Sequence, residues 1–141
     1  MIFYRILFLI FLDFSLIQSD PINLSLKIRC PFNRNWCAKL KVYEEDNTWF
    51  SHDYLKNQAF CTKDPFKEFH YPPMNLGGDL SPSYEFNVIF YHNCTSDGQF
   101  ARYSPRQSLG WVPVDGEQNV PLDVEIGDKG AYGECLFGIL V

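Results

Sequence analysis

At 141 residues the chain has room for a single hydrophobic core and one domain of ordinary size. Its 12 basic and 17 acidic residues give a net charge of −5, which argues against nucleic acid or an anionic membrane as the main partner, because both take clustered Lys and Arg to displace counterions. Aromatic residues make up 17% of the sequence, and no long amphipathic helix pattern, internal repeat or low-complexity tract occurs, so the composition favours pleated structure.

Residues 1–19 read as a secretory signal peptide: one cation, Arg5, then the apolar run Ile6 to Leu12, and after Asp13 a second apolar patch, Phe14 to Ile17. A spanning helix takes about 20 apolar residues, and Asp13 interrupts this run, so the chain is expected to be secreted and extracellular rather than membrane-spanning. Cleavage is placed after Ser19, the alternative being an uncleaved N-terminal anchor. Arg5 and Asp13 depart together, leaving the net charge unchanged.

Residues 20–127 carry the folded domain. Ile22, Leu24, Leu26, Ile28 and Cys30 alternate with Asn23, Ser25, Lys27 and Arg29, the period of a half-buried strand. After a turn through Pro31 to Asn35, Ala38, Leu40 and Val42 face one way and Lys39, Lys41 and Tyr43 the other, until Glu44-Glu45-Asp46-Asn47 closes the strand. From Thr48 to Pro73 the pattern blurs: Trp49, Phe50, Tyr54, Leu55 and Phe60 allow a short helical turn or an irregular strand, and Phe66 to Tyr71 reads as a short strand. Pro72-Pro73 and Gly77-Gly78-Asp79 mark a loop.

The strand Tyr84 to Cys94 places Tyr84, Phe86, Val88, Phe90, His92 and Cys94 on one face. Ser96-Asp97-Gly98 turns the chain, Leu109 to Val114 forms a further strand, and Asp115-Gly116 turns it again. Val120, Leu122, Val124 and Ile126 alternate with polar residues and with Pro121, whose missing N–H predicts a sheet edge or a strand that begins there. Beyond the turn Asp128-Lys129-Gly130, the extension 128–141 offers a terminal strand from Ala131. About seven strands separated by regular turns predict an all-β fold, a small antiparallel β-sandwich.

Five cysteines, Cys30, Cys37, Cys61, Cys94 and Cys135, fit a disulfide-bonded exported domain, and the odd number leaves one over in any pairing. A bond from Cys94 back to the first hairpin is favoured; Cys135, among Leu136, Phe137, Ile139 and Leu140, is the candidate odd one, either a buried small hydrophobe or a link to another chain. Asn23-Leu-Ser25 and Asn93-Cys-Thr95 are glycosylation sequons, each on the polar side of its strand.

Leu40-Lys-Val-Tyr-Glu-Glu-Asp46, followed by Pro82-Ser-Tyr-Glu-Phe-Asn-Val-Ile-Phe-Tyr-His92-Asn-Cys94, resembles the nematode transthyretin-like family. The resemblance implies a small secreted β-sandwich of transthyretin type over roughly Leu24 to Ile126, with His92 and Cys94 as a fold marker and, by analogy of fold, a small hydrophobic ligand or a homodimer. This chain lacks the family's Gly before the first Cys, where Leu26 and Lys27 stand, has Pro65 in place of the Gly before Phe66, and has no further Cys between Gln99 and Arg106, so disulfide pairing does not transfer. The Tyr-Arg-Gly-Ser of the branch that hydrolyses 5-hydroxyisourate has no counterpart in Phe137 to Val141, so that activity is not expected.

No metal or cofactor is expected: His92 and Cys94 supply two of the four ligands of a structural zinc site, with no nearby pair to complete it. A nucleophilic Cys61 with His52 or His70 competes with disulfide bonding, and no phosphate loop, His-Glu-x-x-His or Gly-x-Ser-x-Gly occurs. The reading is therefore a non-enzymatic extracellular binding module for an unknown protein, lipid or small hydrophobic ligand, set against a secreted enzyme of unrecognised type or a structural extracellular protein. Trp36, Trp49, Tyr54 and Trp111 are the candidate anchors, the alternative being that these rings are core.

Overall fold

The computed structural model describes residues 21–46, 52–76 and 81–132. The signal segment, Trp49, the Gly77-Gly78-Asp79 loop and Cys135 lie outside them. The described chain is all-β: β1 (Ile22–Arg29), β2 (Trp36–Glu44), β3 (Asp53–Thr62), β4 (Phe66–His70), β5 (Ser83–His92), β6 (Ala101–Tyr103), β7 (Gly110–Pro113), β8 (Gln118–Glu125) and β9 (Ala131–Tyr132). They form a three-stranded sheet in the order β4-β1-β8 and a six-stranded sheet in the order β3-β2-β5-β6-β9, with β7 also paired to β5.

The predicted sandwich stands, with one difference in its wiring. β1 and β8 run parallel, Leu24 opposite Val120 and Leu26 opposite Leu122. The remaining strand pairs are antiparallel. Because β8 pairs with β1 alone, it is an edge strand, and Pro121 leaves no central ladder short of a donor.

Between Thr48 and Pro73, where the pattern allows a helical turn or an irregular strand before the short strand at Phe66, the described residues hold the ten-residue strand β3 and then β4. The alternation of β3 is faint because it is an edge strand, half-exposed on both faces, and because a register shift between Val42 and Tyr43 puts the β2–β3 pairing out of phase.

Strands β1, β2, β5 and β8 send alternate apolar residues inward, as a period of two requires. Leu24, Leu26 and Ile28 meet Leu40, Val42, Phe86, Val88 and Phe90 across the layer, all almost wholly buried. One flank, between edges β3 and β4, is closed by rings: Trp36 edge-on to Phe60 at 5.1 Å, Phe60 to Phe69 at 5.5 Å, and Phe69 stacked on Tyr71 at 6.2 Å. The opposite flank closes where β7 meets β8. Gly110 makes that approach feasible, since a Cβ there would lie 2.7 Å from Leu122 Cδ2 and 2.9 Å from Val120 Cγ1.

Two disulfides brace the layers. Cys30, just after β1, bonds Cys94, just after β5, tying the ends of the two sheets together in the core, with Cα atoms 5.9 Å apart. Cys37 bonds Cys61 across the β2–β3 ladder, where the two residues are directly opposed at 4.0 Å between Cα atoms. The favoured link from Cys94 to the first hairpin is thus formed through Cys30.

By chain entropy the 64-residue separation of the first bond is worth about 4 kcal/mol and the 24-residue separation of the second about 3.5 kcal/mol. Their surroundings differ more than their loops, since Cys61 is exposed whereas Cys30 and Cys94 are buried. C30A/C94A should therefore lose clearly more stability to urea than C37A/C61A, and mild reductant should open Cys37–Cys61 first. Mass-mapped alkylation during timed reduction checks the order, and equal rates would contradict it.

Candidate functional site

The outer faces of the two sheets are built differently. On the three-stranded sheet the outward residues of β1 face carboxylates on both neighbours. Lys27 bonds Glu68 at 2.9 Å and Arg29 bonds Asp123 at 2.9 Å, while Lys27 also lies 4.3 Å over the Phe66 ring. Partnership with Lys27, chiefly through the hydrogen bond it donates, holds the Glu68 carboxyl below its ordinary range. Ser25, His70 and Pro121 border a shallow recess of about 230 Å³ on this face. Asp123, on the same rim, is turned to Arg29, so these groups form no serine nucleophile relay.

The outer face of the six-stranded sheet carries two of the most exposed rings in the protein, Tyr54 at 66% and Trp111 at 65%. Tyr54 lies opposite Tyr43, and Trp111 opposite Glu85, so the rings flank one end of the face from β3 and β7.

Between them sits a polar cluster. Glu45 accepts hydrogen bonds from Asn87 Nδ2 at 3.0 Å, from the Tyr43 hydroxyl at 3.4 Å and from the Ser108 hydroxyl. Asn87 Nδ2 also donates to Pro105 O, and its Oδ1 accepts from the Val88 N–H, so the 104–109 segment is laid down over β5. Burial raises the Tyr43 phenol, with the charge of Glu45 adding to it and a hydrogen bond with Ser104 opposing, so this ring remains a protonated donor. His52 packs 5.2 Å from Tyr43 and accepts the Asp46 N–H through Nδ1. The cluster orders a surface; its carboxylate is committed to three donors.

Farther along the same face, Ala59, Lys39, Tyr91, Arg102 and Ala131 form one rung across β3, β2, β5, β6 and β9. Asn57, Lys41 and Ile89 form the next. β9 can lie against β6 because Gly130 precedes it: φ is +106° there, and a Cβ would fall 2.3 Å from the Arg102 carbonyl oxygen. Arg102 and Arg106, with Tyr103, Ser104, Gly130 and Ala131, line an open recess of about 560 Å³ at this end of the rung.

Among the candidate anchors, Tyr54 and Trp111 are exposed, and Trp49 lies outside the described residues. Trp36 is a correction: it is fully buried, its indole N–H donates to Asp64 O at 2.8 Å, and no partner can reach it. Asn23 Nδ2 bonds Glu117 at 2.8 Å, and Asn93 Oδ1 accepts the Cys37 N–H at 2.7 Å.

Cys61 and Cys94, the sulfurs considered for a nucleophile and for a zinc ligand, are both in disulfides. Among the described residues no group of three His, Cys, Asp or Glu side chains is arranged to hold a metal ion. The Glu45–Asn87–Ser108 cluster escaped the sequence reading because its members lie on separate strands and loops, with no spacing to join them. The one local signal was Asn87, a polar residue in the aromatic strand.

His92 is buried in the inter-sheet layer. Its Nε2 donates to Lys129 O at 3.1 Å, which leaves Nδ1 as the bare nitrogen, without a hydrogen-bond partner. Desolvation pushes its pKa down to about 4 from 6.5, with the bond to Lys129 opposing. In the unfolded chain it takes up its proton near pH 6.5, so the stability it contributes is fully present above that pH and is lost as pH falls toward 4. The loss amounts to about 3 kcal/mol. H92N should show a shallower fall of urea stability between pH 7.5 and pH 4 by about that amount, and parallel curves would refute this assignment.

No helix among the described residues is long and apolar enough to cross a membrane. No curated protein matches the chain. No solved structure matches it either. A family model described as "Caenorhabditis elegans protein of unknown function (DUF870)" matches residues 25–137, which run from within β1 through β9 and include both disulfides. The chain belongs to that nematode family.

Proposed function

We propose that this protein is a secreted, non-enzymatic binding module, akin to the transthyretin-like proteins, that presents the outer face of its six-stranded sheet to an extracellular protein, lipid or small hydrophobic ligand. The observation that carries the reading is the pair of rings Tyr54 and Trp111, two-thirds exposed on a sheet otherwise ordered by hydrogen bonds. Aromatic side chains held on rigid strands supply contact area at little entropic cost, and such rings dominate binding energy at interfaces.

Export is supported by the signal-like 1–19 segment and by two disulfides, which persist in oxidising compartments. A ligand between the sheets is the less favoured form, because Trp36, Phe86 and Phe90 already fill that space. The outer face is the working surface.

Y54S and W111S should each weaken capture of the bound component from extracellular fluid by roughly tenfold or more, with folding retained by circular dichroism, as expected for truncated anchor rings. If the unaltered protein captures no protein, lipid or small molecule, the reading fails. Both sequons should be occupied on export: glycosidase treatment should lower the mass of the secreted protein, and N23Q and N93Q should each remove one glycan. The Asn93 bond to the Cys37 N–H uses Oδ1 and leaves Nδ2 for the sugar. Unchanged mass in N93Q would disprove modification there.

A further inference from the structure

We infer that the Cys37–Cys61 pair is a thiol–disulfide exchange site for small thiols, with Cys61 as the sulfur that is attacked and Cys37 as the sulfur that leaves and returns. The inference goes beyond the binding reading and does not depend on what Tyr54 and Trp111 hold.

Strand pairing makes the two sulfurs unequal. Cys37 lies on β2, a strand paired on both sides, and Asn93 takes both of its backbone groups: the Cys37 N–H donates to Asn93 Oδ1 at 2.7 Å, and the Cys37 carbonyl accepts the Asn93 N–H at 3.2 Å. These groups point toward β5 and away from β3. Cys37 and Cys61 therefore form a non-hydrogen-bonded pair, the kind in which facing side chains come closest, and the 4.0 Å between their Cα atoms agrees. On β3, the edge of its sheet, Cys61 is exposed, whereas Cys37 is half-buried. A thiol arriving from solvent meets Cys61 first.

The chemistry is a two-electron exchange. The thiolate of a small thiol forms a bond to Cys61 Sγ, the Cys37–Cys61 bond breaks, and the electron pair leaves on Cys37 Sγ, which takes a proton from water. A second small thiol attacks the sulfur of the first, releasing Cys61 as a thiol and carrying the first away as a small disulfide. Two thiols are oxidised and the protein pair is reduced; the reverse sequence closes it again.

The neighbouring rungs keep the opened pair in place. Phe60 opposite Ala38 and Thr62 opposite Trp36 hold the strands together on either side of Cys61. The Trp36 ring stands edge-on to Phe60 at 5.1 Å, and its N–H bonds Asp64 O, just past the end of β3, at 2.8 Å. Cys37 thus stays opposite Cys61 as a resolving sulfur.

The fold tolerates the opening. β2 and β3 pair from Trp36 and Thr62 to Glu44 and Asp53, in a register set by the buried Ala38, Leu40 and Val42 rather than by the disulfide. The layers are tied by Cys30 and Cys94, which lie in the core at 1% and 0% exposure, beyond the reach of a small thiol. One bond holds the sandwich while the other cycles.

The test equilibrates the full chain in glutathione buffers of rising reduced-to-oxidised ratio, quenches with acid, and maps thiols and glutathione adducts by alkylation and peptide mass. Cys37 and Cys61 are expected to open together and to reclose fully when oxidised glutathione is restored, with early adducts on Cys61, Cys30–Cys94 intact and circular dichroism unchanged. C37S leaves Cys61 alone and C61S leaves Cys37 alone; with folding checked by circular dichroism, Cys61 should take up glutathione from oxidised glutathione roughly tenfold or more faster than Cys37 does.

A pair that stays closed at every ratio, adducts shared equally between the two sulfurs, opening only in step with Cys30–Cys94, or failure to reclose would each overturn the inference. The mapping on the unaltered chain decides the matter even if a single variant does not fold.

Discussion

Strand β5 has to satisfy both of its backbone edges and both of its faces, and the rest of the molecule is arranged around that requirement. One edge is taken by β2 from Ala38 to Glu44; the other is shared by β7 along Ser83 to Phe86 and β6 along Phe90 to His92. After Trp36 of β2, the next largest buried rings of the core, Tyr84, Phe86 and Phe90, come from its inner face, together with His92. Its outer face supplies Asn87, Ile89 and Tyr91. A substitution in this strand therefore acts on ladder, core and surface at once.

The end of β5 is where the layers are fixed to each other. Cys94 bonds Cys30, its carbonyl accepts the Asp128 N–H, His92 bonds the Lys129 carbonyl, and Ile126 N–H donates to Arg29 O. A buried neutral histidine and a buried disulfide thus sit at the same junction of β1, β5 and the chain after β8. This gives His-x-Cys a structural meaning in this protein: the sulfur holds the sheets, and the imidazole holds the turn that leads into β9.

Much of this was legible in the residues. The alternations in Ile22 to Cys30, Tyr84 to Cys94 and Val120 to Ile126 located the core faces, because burial on one side of a pleat leaves a period of two. Edge strand β3 was not legible, since a strand exposed on both faces carries little periodicity, and the bulge after Val42 breaks what there is. Trp36 was ambiguous for a related reason: indole is equally suited to a core and to an interface, and only its bond to Asp64 and its contact with Phe60 place it inside. The Glu45 cluster and the rung of Lys39, Tyr91 and Arg102 left no trace in spacing, because their members meet through pairings between strands that lie far apart in the chain.

The class of structure and the residues that face inward are written in the residues themselves; Pro121 narrows β8 to an edge or to a strand start, and the five cysteines favour a bond from Cys94 toward the first hairpin while leaving other pairings open. The first of these follow locally from a two-residue period and a missing N–H. Long-range packing alone settles that β8 returns parallel to β1, that Cys30 rather than Cys37 receives Cys94, and that Lys39, Tyr91 and Arg102 share a rung. Register between distant strands is set by how their buried faces interlock, and the residues on the outer faces are carried into contact by that packing without any local pattern to announce it.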